Sequence, residues 1–252
     1  MAVDYFFDAY RMTEYYDDYL GGHTEDFDFW PAYLSDRENI LEIACGTGRI
    51  TIPLLKLGKR ITALDYSPEM LELLYQKTEA YRDRLTIVNG DMRNYKLNQR
   101  FDAVIITANS VNHLETPYDL EKTLKCAAEH LIDGGLFIFD ALHHELRHLL
   151  RDKQHQYDHD EFIVQKSGKR VTVYENSEYD RKTQTSSVDY YYTTESGETK
   201  VLSIKNHFFF PQELDYIISK SDFDVLSKLG TYTGEEFTSE SKEQIYILKK
   251  KA

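Results

Sequence analysis

An open α/β sheet of parallel strands with helices on both faces, interrupted after its fifth strand by an antiparallel β-sheet, is the fold predicted for this 252-residue sequence. Three observations predict it. An apolar stretch at Ile40–Ile43 has the character of a buried strand and runs through Gly46-Thr47-Gly48 into a helical pattern. Strand and helix patterns then alternate as far as Asp140. From about His159 to Phe210 the chain becomes rich in Val, Tyr, Thr and Phe, with polar breaks that punctuate hairpins.

The N-terminal stretch is strongly aromatic, with Tyr5, Phe6, Phe7, Tyr10, Tyr15, Tyr16, Tyr19, Phe27, Phe29 and Trp30, and reads as a helical packing segment of the core. After the first core strand, a helix is expected over about Arg49 to Leu57, stopped by Gly58. Arg60–Leu64 gives a second strand ending at Asp65, and Ser67-Pro68-Glu69 opens a capped helix with Ser67 as N-cap and Pro68 at its first position. Leu85–Val88 gives the third strand, closed by Asn89-Gly90-Asp91-Met92, and Ala103–Ile106 the fourth, leading into Thr107–Leu114. Leu120, Leu124, Ala127, Ala128 and Leu131 lie at helical spacing before Asp133-Gly134-Gly135 turns into the fifth strand, which ends at Asp140. Insert strands are predicted near 162–166, 170–179, 184–194 and 200–210. A helix from Pro211 and two strands, Phe223–Leu229 and Gln244–Lys249, complete the chain. The expected division is a core of 1–150 and 211–252 with its N-terminal helical segment, and a cap of 151–210 over an acceptor site, since ligand crevices in such sheets lie beyond the carboxyl ends of the strands.

The glycine turn permits a tight strand-to-helix reversal, and a side chain at Gly46 or Gly48 is expected to occupy ligand space. Ala44, Gly46 and Arg49 do not spell the nicotinamide fingerprint, which disfavours a dehydrogenase. Asp65 follows the turn at about the spacing where an α/β nucleotide site places a carboxylate for ribose hydroxyls. Asp91 can accept from an exocyclic amine while Met92 covers an aromatic ring.

These segments, in this order, together with Phe101–Ile106 and Asp133–Phe139, resemble the class I S-adenosylmethionine-dependent methyltransferases with their Rossmann-like sheet, and the cap is similar to that of glycine N-methyltransferases and amino-sugar N,N-dimethyltransferases. The resemblance implies that Ala44, Cys45, Gly46 and Gly48 hold the methionine moiety of S-adenosyl-L-methionine, Asp65 its ribose, and Gly90, Asp91 and Met92 its adenine, with Tyr66 and Met70 flanking the adenosine. Tyr15-Tyr16-Asp17 resembles the family's Tyr-Asp element, which assigns Tyr16 to the methionine end and to catalysis. Thr107–Leu114 matches the segment that faces donor and acceptor, so Asn109 and Ser110 fall to the donor and Asn112 and His113 to the acceptor, with Tyr19, Asp140 and His143 beside them. Ser110 and Asn112 keep the family pattern, whereas Asn109 and His113 depart from it. His113 titrates near neutrality and is the first choice for a base, ahead of Asp140, His143 and His144.

A net charge of −13 opposes a nucleic-acid backbone, and neither a signal peptide nor an apolar run of membrane-spanning length is present. Cys45 and Cys126 form no Cys-x-x-Cys pair, and no disulfide is predicted. The expectation is a cytoplasmic enzyme that methylates a nitrogen or oxygen of a small-molecule acceptor, with no nucleic-acid or membrane partner and with the insert available for homodimerisation. Two other readings stay open: a protein that binds the donor without turnover, and a zinc hydrolase through His144-Glu145-Leu146-Arg147-His148, although no third ligand stands at family spacing and no metal is assigned.

Overall fold

The computed structural model describes residues 3–6, 13–20, 23–143 and 145–251. The elements run β1 (Val3–Phe6), α1 (Thr13–Leu20), α2 (Phe29–Tyr33), β2 (Asn39–Ile43), α3 (Thr51–Lys56), β3 (Arg60–Asp65), α4 (Pro68–Lys77), β4 (Leu85–Asn89), β5 (Phe101–Ile106), α5 (Pro117–His130) and β6 (Leu131–Leu142). Then follow β7 (Tyr157–Ile163), β8 (Arg170–Asp180), β9 (Thr185–Thr194), β10 (Thr199–His207), α6 (Pro211–Ser219), β11 (Phe223–Leu229) and β12 (Glu243–Lys250). They form two units, Glu25–His143 with Phe209–Ala252, and Met1–Thr24 with His144–Phe208.

In the larger unit a seven-stranded sheet has the order β11-β12-β6-β5-β2-β3-β4. The five strands from β2 to β6 are parallel, while β12 runs antiparallel to both β6 and β11. Alternating side chains feed two cores. Leu41, Ile43, Val104, Ile106, Phe137 and Phe139 pack with Leu120 and Leu124 of α5 and with Leu214 and Ile217 of α6. Ile40, Ala63, Ala103, Ile105 and Ile138 pack with Trp30, Leu54, Leu71 and Leu74 on the other face. Ser67 caps α4 by accepting from Met70 N at 3.2 Å, and Thr116 caps α5 by accepting from Asp119 N at 3.1 Å. The helix after the glycine turn is shorter than its pattern suggests, beginning at Thr51 after the left-handed backbone of Gly48 (φ 92°).

In the smaller unit the sheet order is β1-β10-β9-β8-β7. The three hairpins are antiparallel, as the polar breaks predict, but the first insert strand starts earlier than expected, at Tyr157, within a polar run that carries a bulge. The N-terminus differs from its helical reading. Val3–Phe6 pairs in parallel with β10, and α1 packs Tyr15 on Phe162 and Tyr192, so β1 and α1 group with the insert. A β-prone segment can satisfy its backbone on the open edge of β10, an opportunity that local helical spacing does not reveal.

One buried charge stands out in the core sheet. Glu42 shares the face of Ile40 and is 1% exposed, and the Thr51 hydroxyl donates to its Oε2 at 2.5 Å. Burial pushes Glu42 up to about 8, opposed by Thr51 and Arg49. The folded chain therefore keeps a proton that the unfolded chain gives up near pH 4.5, so this residue's contribution to stability falls as pH rises from about 4.5 to 8 and is level above that. Glu42→Gln is expected to unfold at a higher temperature than the wild type at pH 9, by about 2 kcal/mol or more in stability, with the gap closing at pH 5; thermal melts at the two pH values check this.

Candidate active site

The carboxyl ends of β2, β3, β5 and β6 bring together most of the core-unit residues singled out in the sequence. Past β2, the chain turns through left-handed backbone at Ala44 (φ 56°), Gly46 (φ 54°) and Gly48 (φ 92°). A Cβ at Gly48 would lie 2.4 Å from Leu74 Cδ1. The absent side chain there makes room for Leu74 of α4. Cys45 is buried, its amide bonded to Leu64 O at 3.1 Å, and burial pushes its thiol well above the ordinary range.

Asp65 ends β3 as a buried carboxylate. Its Oδ2 accepts from Gly46 N and its Oδ1 from Ser67 N, both at 2.8 Å, so it braces the glycine turn against the start of α4. Burial raises its pKa, opposed by the amides of Ser67, Gly46 and Tyr66. Three of the carboxylate's roughly four lone-pair sites are thus engaged and one is left for a ligand. Tyr66 beside it is exposed, whereas Met70 is 1% exposed and presents almost no surface to an adenosine. Past β4, Gly90 packs on Leu64, and Met92 is half-buried against the core. Asp91 is paired with Arg93, whose Nη2 lies 2.5 Å from Oδ2 and whose Nε lies 2.9 Å from Oδ1. That pairing holds the Asp91 carboxyl below the usual range.

The segment after β5 is strained. Ala108 (φ 56°) and Asn109 (φ 57°) are consecutive left-handed residues that are not glycine, each costing on the order of 1–3 kcal/mol. Side chains from this loop and from β6 hold the turn. Asp140 Oδ1 accepts from Asn109 N at 2.8 Å, Ser110 Oγ donates to Thr107 O at 2.7 Å, and Asn112 Oδ1 accepts from Leu142 N at 3.1 Å. Asn112 and Asp140 are therefore braces of the loop more than exposed contacts, at 1% and 0% exposure. His143 Nδ1 meets Ser241 O at 2.7 Å and its ring packs on Phe237. His113 is half-buried at the end of the 3₁₀ turn Ser110–His113.

Four residues that the sequence reading did not select complete the charge network. Asp26 accepts from both Arg49 Nη atoms at 2.6 Å and from Trp30 Nε1 at 2.9 Å. Burial works against the Arg49 charge, but the Asp26 carboxylate more than offsets it. The Tyr232 hydroxyl donates to Asp140 Oδ2 at 2.5 Å, and Glu243 is bonded by the Asn109 side chain. Burial pushes Asp140 up to about 6 and Glu243 up to about 8. Burial and then Asp140 push the Tyr232 phenol far upward. Only Glu42, a charge inside an apolar strand, left a local signal. The partners Asp26 to Arg49 and Asp140 to Tyr232 are separated by 23 and 92 positions.

Tyr16 and Tyr19 lie on α1, in the smaller unit. His144 and the side chain of His148 fall outside the described residues. Among the described residues no group of three or more His, Cys, Asp or Glu side chains is arranged to hold a metal ion, and no helix is long and apolar enough to cross a membrane.

Residues 40–135 match the methyltransferase domain family. The chain is 37% identical over 110 residues to the putative methyltransferase YqeM of Bacillus subtilis, covering 43% of this chain and 44% of that protein. It is 31% identical over 126 residues to a dTDP-3-amino-3,4,6-trideoxy-α-D-glucopyranose N,N-dimethyltransferase of Streptomyces venezuelae, covering 49% and 50%. These matches span about half the length of the curated relatives. An S-adenosylmethionine-dependent methyltransferase from Clostridium acetobutylicum has a similar fold, with a TM-score of 0.78 at 22% identity, over 96% of this chain and 98% of that one. Residues 40–135 thus match a methyltransferase domain, and the sheet topology is that of the S-adenosylmethionine-dependent methyltransferase structure to which the chain is similar.

Proposed function

We propose that this protein transfers the methyl group of S-adenosylmethionine to a nitrogen or oxygen of a small, soluble acceptor in the cytoplasm. The observation that carries the reading is the double tie of Asp65 to Gly46 N and Ser67 N, which sets a carboxylate and a left-handed glycine turn side by side at the strand ends. The donor is a cation at sulfur and at its amino group, and the site suits it. Asp26, Glu42, Asp65, Asp140 and Glu243 influence one another electrostatically around the Arg49 guanidinium. Buried carboxyls with raised pKa values are groups that a bound cation stabilises in their charged form.

In this reading the Ala44–Gly48 backbone holds the methionine end. Asp65 takes a ribose hydroxyl on its remaining lone-pair site, and Asp91 shares its carboxylate between Arg93 and the adenine amine, with Tyr66 and Met92 beside the base. The bound donor supplies a methyl group already activated by the positive sulfur. The protein's task is alignment, which in favourable cases lowers a barrier by roughly 7–11 kcal/mol. The strained loop from Thr107 to His113, held by Asp140, is the rigid wall against which the acceptor is placed. His113 at its end accepts the acceptor's proton when that group arrives as an ammonium or a hydroxyl. The named activity of the amino-sugar N,N-dimethyltransferase relative supports nitrogen over oxygen.

Asp65→Ala is expected to weaken S-adenosylmethionine binding at least about tenfold by calorimetry, because a ribose hydroxyl loses a charged acceptor and the turn loses its brace. Unchanged affinity would remove the donor-site assignment. Incubation of the protein with methyl-labelled donor and a metabolite extract, followed by mass spectrometry, is expected to yield a labelled amine or hydroxyl compound. Donor binding with no labelled product would leave a binding protein without turnover.

A further inference from the structure

The loop between β11 and β12, residues 230–242, carries none of the residues singled out in the sequence, yet it reaches the middle of the strand ends. The core sheet has its topological switch point between β2 and β5, because β3 and β4 lie on one side of β2 and β5 and β6 on the other. Ligand crevices of open α/β sheets form at that point, beyond the carboxyl ends of the strands. The glycine turn after β2 and the left-handed turn after β5 therefore flank the crevice by the geometry of the sheet alone. β11 runs antiparallel to β12, and β12 antiparallel to β6, so β11 points the way the parallel strands do and its loop leaves at the same end. His143 anchors that loop, its amide donating to Lys242 O at 2.8 Å and its Nδ1 lying 2.7 Å from Ser241 O.

Tyr232 extends from this loop to Asp140. Its hydroxyl donates to Oδ2 at 2.5 Å, while Oδ1 accepts from Asn109 N at 2.8 Å. One carboxylate thus joins the edge loop to the turn at Ala108 and Asn109, whose backbone neither residue prefers. The Tyr232 ring stands edge-on to Phe29 of α2 at 5.6 Å, a contact that aims its hydroxyl. Asp140 is itself fully buried and touches no ligand. It acts through the Asn109 amide and through its charge, which solvent ions screen little at that depth. Facing it are Asp26 ahead of α2, Arg49 after the glycine turn, Asn109 and Tyr232 from the two loops, and Glu243 from β12. Burial pushes Asp140 up to about 6; the Tyr232 hydroxyl opposes this most, then the Asn109 amide, with Asp26 adding to the rise and Arg49 working against it.

We propose that Tyr232 is a positioning residue of the donor site: its hydroxyl holds the Asp140 carboxylate, which braces the Asn109 turn and supplies a negative charge to the cationic donor. The proposal deepens the reading above and rests on its assignment of S-adenosylmethionine to this crevice. Without the hydroxyl, Asp140 keeps Asn109 N as a partner but loses the hydrogen bond that most favours its ionised form. It then takes up a proton at a higher pH, and the crevice loses a charge. The consequence is a signature in pH. Removing the hydroxyl weakens donor binding most below neutrality and hardly at all at alkaline pH, where Asp140 is ionised with or without it. A residue that served packing alone would weaken binding equally at both.

Calorimetry of the full chain with S-adenosylmethionine tests this. Tyr232→Phe keeps the ring against Phe29 and is expected to weaken binding at least about fivefold relative to the wild type near pH 6.5, and less than about twofold near pH 8.5. Wild-type affinity at the lower pH overturns the proposal, as does a loss of the same size at both. A second measurement needs no Tyr232 variant. With carbon-13 in the aspartate carboxyls of the wild type, the Asp140 resonance, identified by its loss in Asp140→Asn, is expected to titrate near pH 6 in the free protein. Saturation with S-adenosylmethionine is expected to move that midpoint down by at least about 0.5. A midpoint that the donor leaves in place overturns the proposal even if Tyr232→Phe fails to fold. A wild type that binds no S-adenosylmethionine defeats the donor assignment and this proposal with it, whereas binding with a pH-independent loss defeats the proposal alone.

Discussion

The Asp65 carboxylate is the constraint on which the core site depends. It accepts from the amide of Gly46 in the turn after β2 and from the amide of Ser67 at the start of α4, both at 2.8 Å. One side chain thus fixes two backbone segments about 20 positions apart in sequence, beside the Cys45 amide bond to Leu64 O. The cost is desolvation, which raises the carboxyl's pKa, and three amides offset it. Gly48 completes the arrangement by letting α4 approach the turn, so that the helix, the turn and the carboxylate form one rigid corner.

Similar economics govern the rest of the strand ends. The loop from Thr107 to Ser110 adopts a conformation that neither Ala108 nor Asn109 would choose alone, and Asp140 stabilises it through the Asn109 amide. Asp140 in turn is fully buried and shares itself with Tyr232. Buried carboxyls, buried partners and strained backbone occur together because each needs the others: removing one partner leaves a charge that has no water to turn to. Such over-determined strain is a property of functional loops and has no value to a chain that needs only to fold.

The insert unit follows another logic. Its sheet is held by cross-strand aromatic and β-branched pairs, yet β8 gives up an inward apolar position to Glu175 and β7 gives up regular pairing at His159. Each departure costs sheet stability. Both departures meet on one hydrogen-bonded chain that runs from Glu175 through His159 to Tyr19.

Much of this protein is legible in its sequence. The alternating apolar runs, the Ser67-Pro68 helix start, the glycine turn and the hairpin breaks of the insert are local signals, and local propensity and period suffice to read them. The resemblance to the methyltransferases rests on residues grouped within short stretches of 40–140. Legible from local pattern, then, are the core strands and helices in their order and the likeness of that core to a methyltransferase domain. The tertiary structure decided the rest: that Val3–Phe6 becomes a strand on β10, that Met70 and Asn112 are buried, that Asp26 holds Arg49 and Tyr232 holds Asp140, and that His159 and Glu175 reach Tyr19. The physical reason is one of range. A period or a cap depends on neighbours within a few positions, whereas the protonation and orientation of a buried side chain depend on whichever distant residue the fold sets within about 3 Å of it.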